Sequence, residues 1–143
     1  MTEASPNANL QNVVAEELVV TSKLRILDRV TFEKEPNFSK VGATGEAPFT
    51  NAWVSWGSPY AAVGYWRDPL GFVHLHGVVL SGTVGLAAFT LPPGLRPAFE
   101  QTLHVLSNGT TGRIDITTGG EVIPKAPSTN ASVSLDNISF KAA

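Results

Sequence analysis

Short apolar segments separated by glycine and proline follow one another from Phe49 to the end of the chain, and this punctuation limits the folds available. With 13 Gly and 10 Pro in 143 residues, the longest helix that we predict is a single turn at residues 97–102. Many short strands with turn residues between them are typical of a β-sandwich or barrel. Strands are predicted at residues 52–56, 61–67, 72–80, 83–90, 102–107, 112–117, 121–123 and 131–140.

Three turn sequences favour antiparallel pairing of these strands. Residues 68–71 (DPLG) place proline second and glycine last, which favours a turn between the strands on either side. Asn108-Gly109 and Gly119-Gly120 are typical of two-residue hairpins. We therefore predict an all-β fold, with an antiparallel, jelly-roll-like β-sandwich as a head domain over residues 49–143.

The chain before this head has a different pattern. Residues 1–17 are polar and are predicted to form an extended arm. Residues 18–32 alternate with the period of two that is typical of strands, interrupted by a turn at Asp28 and Arg29, and residues 34–48 are predicted to be a linker. We therefore divide the chain into arm and β-stem (1–33), linker (34–48) and head. Because the apolar stem face has no neighbouring partner, we predict that copies of the chain bury it together. This face consists of Leu18, Val20, Leu24, Ile26, Val30 and Phe32.

The composition argues against several classes of function. Ten Lys and Arg against twelve Asp and Glu give a net charge of −2, without the basic field that nucleic-acid binding requires. The absence of cysteine excludes disulfides, thiolate zinc sites and thiol nucleophiles. No apolar run approaches the ~20 residues of a membrane span, and the first residues do not resemble a signal peptide. We expect neither a nucleic-acid partner nor membrane insertion.

An aromatic cluster provides the best candidate for a binding site. Clustered aromatic side chains stack on sugar rings or anchor protein interfaces. Trp53 and Trp56 have opposite strand parity, as do Tyr65 and Trp66, so one member of each pair should face outward. The candidates for a surface ligand or a trimer interface are Trp53, Trp56, Tyr60, Tyr65, Trp66 and Arg67.

Candidates for metal binding or catalysis are weaker. His74 and His76 point the same way on a strand, where His104 from another segment would complete a metal site, but a polar strand face explains them better. No Ser nucleophile motif, phosphate-binding loop or carboxylate pair at glycosidase spacing occurs. We therefore predict no cofactor, no metal and no enzymatic activity.

Several motifs lie in a fixed order in the second half of the chain. They read GYWRDPLGFVHLHGVV at 64–79, SGT at 81–83, FTLPPGLRP at 89–97, GRIDI at 112–116, GEV at 120–122 and VSLDNISF at 133–140. In this order they resemble a domain that closes many phage tail proteins, over about two-thirds of the chain. Leu95 stands where that family usually has tyrosine, and Asn137 where it usually has glycine.

The resemblance implies a homotrimeric β-sandwich on a virion, acting as a tail fibre or receptor-binding protein in adsorption to the host. Its implied partners are sister copies, other virion proteins held by the arm, and a host-surface saccharide. The short region before the head leaves a capsid decoration or head-fibre protein as an alternative. A second alternative is a polysaccharide-cleaving tail enzyme, for which Asp68, Asp115 and Asp136 are the first residues to mutate.

Overall fold

The structure is a computed structural model that describes Glu17, residues 19–29 and residues 38–143. The chain divides into two compact units, Met1–Lys34 and Glu35–Ala143. In the first unit, residues 19–29 bend at 21–22 and 27–28 and contain no strand. Leu24 and Ile26 are 61% and 48% exposed there. The predicted β-stem is therefore not formed by these residues in one chain, as expected for a short ribbon whose apolar face lacks a partner.

The remainder of the predicted arm and stem lies outside the described residues. This applies to residues 1–16 and to three residues of the predicted stem face, Leu18, Val30 and Phe32. Burial of that face between copies remains a prediction.

The second unit is all-β, and all its strand pairs are antiparallel. Its strands are β1 (Ser39–Lys40), β2 (Val54–Ser55), β3 (Gly64–Arg67), β4 (Phe72–His76), β5 (Val78–Leu80), β6 (Phe89–Thr90), β7 (Gln101–Ser107), β8 (Thr110–Ile116), β9 (Glu121–Lys125), β10 (Val133–Ser134) and β11 (Ser139–Lys141). One sheet has the order β1-β3-β4-β11 and the other β2-β5-β10-β7-β8-β9-β6. No helix in the described part of the chain is long and apolar enough to cross a membrane.

The chain passes between the two sheets four times, and two of these crossings are neighbours. β4 leads into β5 through Gly77, whose φ of +98° is rarely adopted by residues with a side chain. β10 leads into β11 through residues 135–138. The Gly77 N–H donates to Asp136 Oδ1 at 2.7 Å, and the Leu135 N–H donates to the Gly77 carbonyl oxygen at 2.8 Å. These two hydrogen bonds connect the crossing at Gly77 with the crossing at residues 135–138.

Both sheets contribute side chains to one apolar core. Val73 and Leu75 come from the four-stranded sheet, and Ile114 and Val122 from the seven-stranded sheet; all are at most 2% exposed. Burying each such side chain stabilises the fold by about 1.5–3 kcal/mol. Because side chains alternate along β4, His74 lies on the face of the sheet away from this core.

The all-β antiparallel prediction is confirmed, and each predicted strand overlaps an observed one. The predicted strands at 72–80 and 131–140 each prove to be two strands in different sheets, because the chain crosses between sheets within them. The strand predicted at 83–90 is formed only at Phe89–Thr90, because the residues before it form a turn in which the Leu86 N–H donates to Thr83 O. The helical turn predicted at 97–102 is wrong: Pro97 pairs with Ala142, and β7 begins at Gln101.

Part of the predicted linker belongs to the second unit. β1 pairs with β3, and Val41, which is 3% exposed, donates its N–H to Val63 O at 2.9 Å. Gly42, one of the glycine and proline residues in the predicted linker, forms a turn in which its N–H donates to Ala47 O at 2.7 Å. Residues 39–47 are therefore joined to the second unit by strand pairing, a hydrogen-bonded turn and the burial of Val41, whereas a linker was predicted.

Candidate ligand-binding surface

Two of the six candidate binding residues are core residues. Trp53 and Tyr65 are each 1% exposed. The Trp53 indole N–H donates to Leu86 O at 3.2 Å, and the Tyr65 hydroxyl donates to Glu46 Oε2 at 3.0 Å. Burial raises the pKa of Tyr65. As parity indicated, one member of each aromatic pair faces inward, and Trp53 and Tyr65 cannot contact a surface ligand.

The outward member of the first pair, Trp56, and the candidate Tyr60 line a groove of about 200 Å³, here called the Trp56 groove. Trp56 and Tyr60 are 45% and 46% exposed, and their rings meet edge to face with centroids 5.7 Å apart. The backbone N–H of Trp56 donates to Val78 O at 2.8 Å, which fixes Trp56 beside β5. The groove is also lined by Val78, Leu106, Ser132, Ser134 and Asp136. It thus combines aromatic and aliphatic surface with hydroxyl and carboxylate groups.

A second groove, of about 370 Å³, lies over the outer face of the four-stranded sheet and is called the Trp66 groove. Trp66 and His74 are opposite each other on β3 and β4, and their rings stack with centroids 4.3 Å apart. His74 Nε2 lies 2.9 Å from Asp68 Oδ2. Asp68 Oδ1 accepts hydrogen bonds from the backbone N–H groups of Leu70 and Phe72, in and just after the predicted turn. The hydrogen bond with His74 is the largest cause of a lowered pKa at Asp68. The turn thereby holds the imidazole against the indole.

His76 also lines the Trp66 groove. Its ring stacks on Phe38 with centroids 4.2 Å apart, and Gly64, opposite His76 on β3, leaves the space that Phe38 occupies. Burial lowers the pKa of His76, and its Nδ1 is buried without a hydrogen-bond partner among the described residues. This environment favours the neutral imidazole.

The candidate metal ligands do not form a cluster. His74 and His76 point to one face of β4, as predicted, whereas His104 is an exposed β7 residue near Thr111 and lines neither groove. Among the residues that the structure describes, no group of three His, Asp or Glu side chains is placed to hold a metal ion.

Arg67 and Asp115 have structural partners and line neither groove. Arg67 donates to Gly94 O at 2.9 Å and so supports the proline-containing loop. Asp115, 7% exposed, accepts bonds from Arg113 at 2.8 and 2.7 Å and lies 3.1 Å from Lys125 Nζ. The hydrogen bond from Arg113 is the largest cause of a lowered pKa at Asp115. Of the three carboxylates in the enzyme alternative, Asp136 is the one that lines a groove.

Asp136 lines both grooves, which are therefore adjacent at this residue. Sequence reasoning did not include it among the binding residues, and it also missed Leu106, Ser132 and Ser134. The alternation of β7 signalled that Leu106, 60% exposed, faces away from Val105 in the core. The position of Asp136 depends on a contact 59 residues away in the sequence, for which no local signal exists.

Comparison with solved structures finds a protein of similar fold. The crystal structure of the receptor binding protein (gp15) of Listeria phage PSA matches with a TM-score of 0.60 at 16% sequence identity. The match covers 74% of this chain and 64% of that protein. No protein-family model and no curated protein matches the sequence. The likeness shows a fold shared with a phage receptor-binding protein.

Proposed function

We propose that the chain is a non-enzymatic virion protein of a bacteriophage tail that attaches the particle to the host surface by binding saccharide in the Trp56 and Trp66 grooves. The observation that carries the proposal is that an indole lines each groove, exposed at Trp56 and half-buried at Trp66, and that Asp136 lines both grooves. Indole faces stack on sugar rings, and nearby hydroxyl and carboxylate groups bond to sugar hydroxyls. The fold likeness and the resemblance of the sequence motifs support the same conclusion.

The proposal includes a homotrimeric sandwich. One core shared by both sheets supports the packing of a sandwich. The exposure of Val20, Leu24 and Ile26 in the first unit supports burial between copies. Three linked sites bind a repetitive cell surface far more strongly than one site, even if each contact is weak.

The test is competition for adsorption. Purified full-length chain, incubated with host cells before phage is added, should bind the cells and reduce phage adsorption. Trp56→Ala should weaken both effects, because it removes an exposed indole from a groove. Phe99→Ala is the matched control, since Phe99 is an 80% exposed aromatic residue that lines neither groove. A chain that binds no host cells, or equal activity of the Trp56 and Phe99 variants, would contradict the proposal.

The capsid alternative differs in what residues 1–33 hold. Deleting residues 2–17 should release the protein from tails under our proposal and from capsids under the alternative. Immunogold labelling of wild-type and deleted particles distinguishes the two locations.

A glycan-turnover assay run beside the binding assay tests the enzyme alternative. That alternative requires the wild-type chain to release cleavage products and Asp136→Asn to release none.

A further inference from the structure

The charge of the two grooves restricts the class of saccharide they can bind, an inference that rests on the proposed function. Asp136 is the one acidic residue among the described residues lining them, and neither lining includes Lys or Arg. Nearly all proteins that bind phosphate or carboxylate groups use cationic side chains or backbone N–H groups for the purpose. A ligand with acidic groups at these grooves would meet a carboxylate and no compensating lysine or arginine.

The geometry of Asp136 leaves it able to accept further hydrogen bonds. Oδ1 is engaged by the Gly77 N–H at 2.7 Å, and no described residue donates to Oδ2. The residue is exposed, and it lies where the Trp56 groove and the Trp66 groove meet. Carboxylates accept hydrogen bonds from hydroxyl and ammonium groups, and these bonds are stronger than those between neutral partners.

The other polar groups of the grooves fit the same ligand. Ser132 and Ser134 supply hydroxyls to the Trp56 groove, and Ser139 and Asn137 supply a hydroxyl and an amide to the Trp66 groove. Burial lowers the pKa of His76, which favours its uncharged form. His74 is hydrogen-bonded to the Asp68 carboxylate, so the pair carries no net positive charge.

We propose that this surface selects glycans without acidic groups, and that Asp136 determines the selection by accepting hydrogen bonds from ligand hydroxyl or ammonium groups between the indoles that line the two grooves. Trp56 and Trp66 provide the stacking area, and Asp136 provides the charge that excludes phosphorylated and carboxylated glycans. Asp136 thereby has two functions, since the same carboxylate fastens the crossing at Gly77.

The test fractionates the natural ligand by charge. Surface polysaccharide from cells that bind the chain is separated by anion exchange into an unretained, non-acidic fraction and a retained, acidic fraction. Each fraction then competes with cells for labelled full-length chain. The unretained fraction should compete and the retained fraction should not. N-acetylating the unretained fraction distinguishes the two donors: lost competition assigns ammonium, and retained competition assigns hydroxyl.

Asp136→Asn is the decisive variant because an Asn Oδ1 still accepts the Gly77 N–H while the charge is removed. It should bind the unretained fraction about tenfold more weakly, the loss expected when a charged acceptor becomes neutral. It should also gain affinity for the retained fraction. Glu100→Gln makes the same charge change at an exposed residue outside both grooves and should change neither. Thermal unfolding of both variants confirms that the fold is kept.

The outcomes separate the inference from the function on which it rests. If only the acidic fraction competes, the charge selection is overturned while the adsorption role stands. If Asp136→Asn and Glu100→Gln behave alike, Asp136 does not determine the selection. If the chain binds cells and neither fraction competes, saccharide binding is contradicted and the inference fails with it. A chain that binds no cells contradicts the adsorption role itself.

Discussion

Gly77→Ala tests how the chain crosses between its two sheets. Gly77 has a φ of +98°, and a Cβ there would lie 2.6 Å from Val63 Cα and 2.8 Å from Val63 N. Adopting a positive φ costs a residue with a side chain roughly 1–2 kcal/mol. Overpacking a filled site costs about 1–3 kcal/mol more, and here the obstacle is backbone, which cannot move as a side chain can. We expect Gly77→Ala to lower the free energy of unfolding by about 2–5 kcal/mol.

Gly85→Ala separates the two contributions. Gly85 has nearly the same φ, +96°, but a Cβ added there would have no neighbouring atom within 4 Å. Its substitution should therefore cost only the backbone part, about 1–2 kcal/mol. Urea unfolding of both variants gives the comparison directly. If Gly77→Ala is no more destabilising than Gly85→Ala, the close approach to Val63 does not constrain the crossing.

Three further predictions concern pH and assembly. Because the folded pKa of His76 is lowered, the unfolded chain binds more protons below the ordinary value of ~6.5, so stability should fall from pH 7 toward pH 5, and His76→Phe should flatten that slope in thermal unfolding. Because the folded pKa of Asp115 is lowered, its ionised carboxylate stabilises the fold above the ordinary pKa of ~3.9, and this stabilisation is lost as pH falls through the folded pKa. Asp115→Asn should therefore lower stability at pH 7 and reduce the loss of stability between about pH 4 and pH 2. Light scattering should give three times the chain mass of 15.1 kDa, and replacing Leu24 and Ile26 by Asp should give monomers; a monomeric wild type at high concentration refutes the trimer.

Features that depend on neighbouring residues could be read from the sequence. The Asp68 turn follows from proline and glycine at fixed turn positions, and its carboxylate bonds to the N–H groups of Leu70 and Phe72. Strand parity predicts that one of Trp53 and Trp56 faces outward, and the structure shows that it is Trp56. These are properties of a few adjacent residues, so a local pattern is enough.

Features that depend on distant contacts could not be read in this way. The apolar run through Gly77 looks like one strand, because its alternation does not reveal that the chain changes sheets. Residues 34–48 look like a linker, because glycine and proline occur in packed turns as well as in linkers. The groove position of Asp136 requires the pairing of its turn with Gly77, which only the tertiary structure provides.

The central claim, that the indoles of the two grooves bind a host glycan, is tested most directly by fluorine NMR. The chain contains three tryptophans, so 5-fluorotryptophan labelling gives three signals, assigned by single Trp→Phe variants. Surface polysaccharide from cells that bind the chain is then titrated in. We expect the signals of Trp56 and Trp66 to shift while that of Trp53, 1% exposed, stays unchanged as an internal control. Saturating polysaccharide that moves neither groove signal would contradict the account.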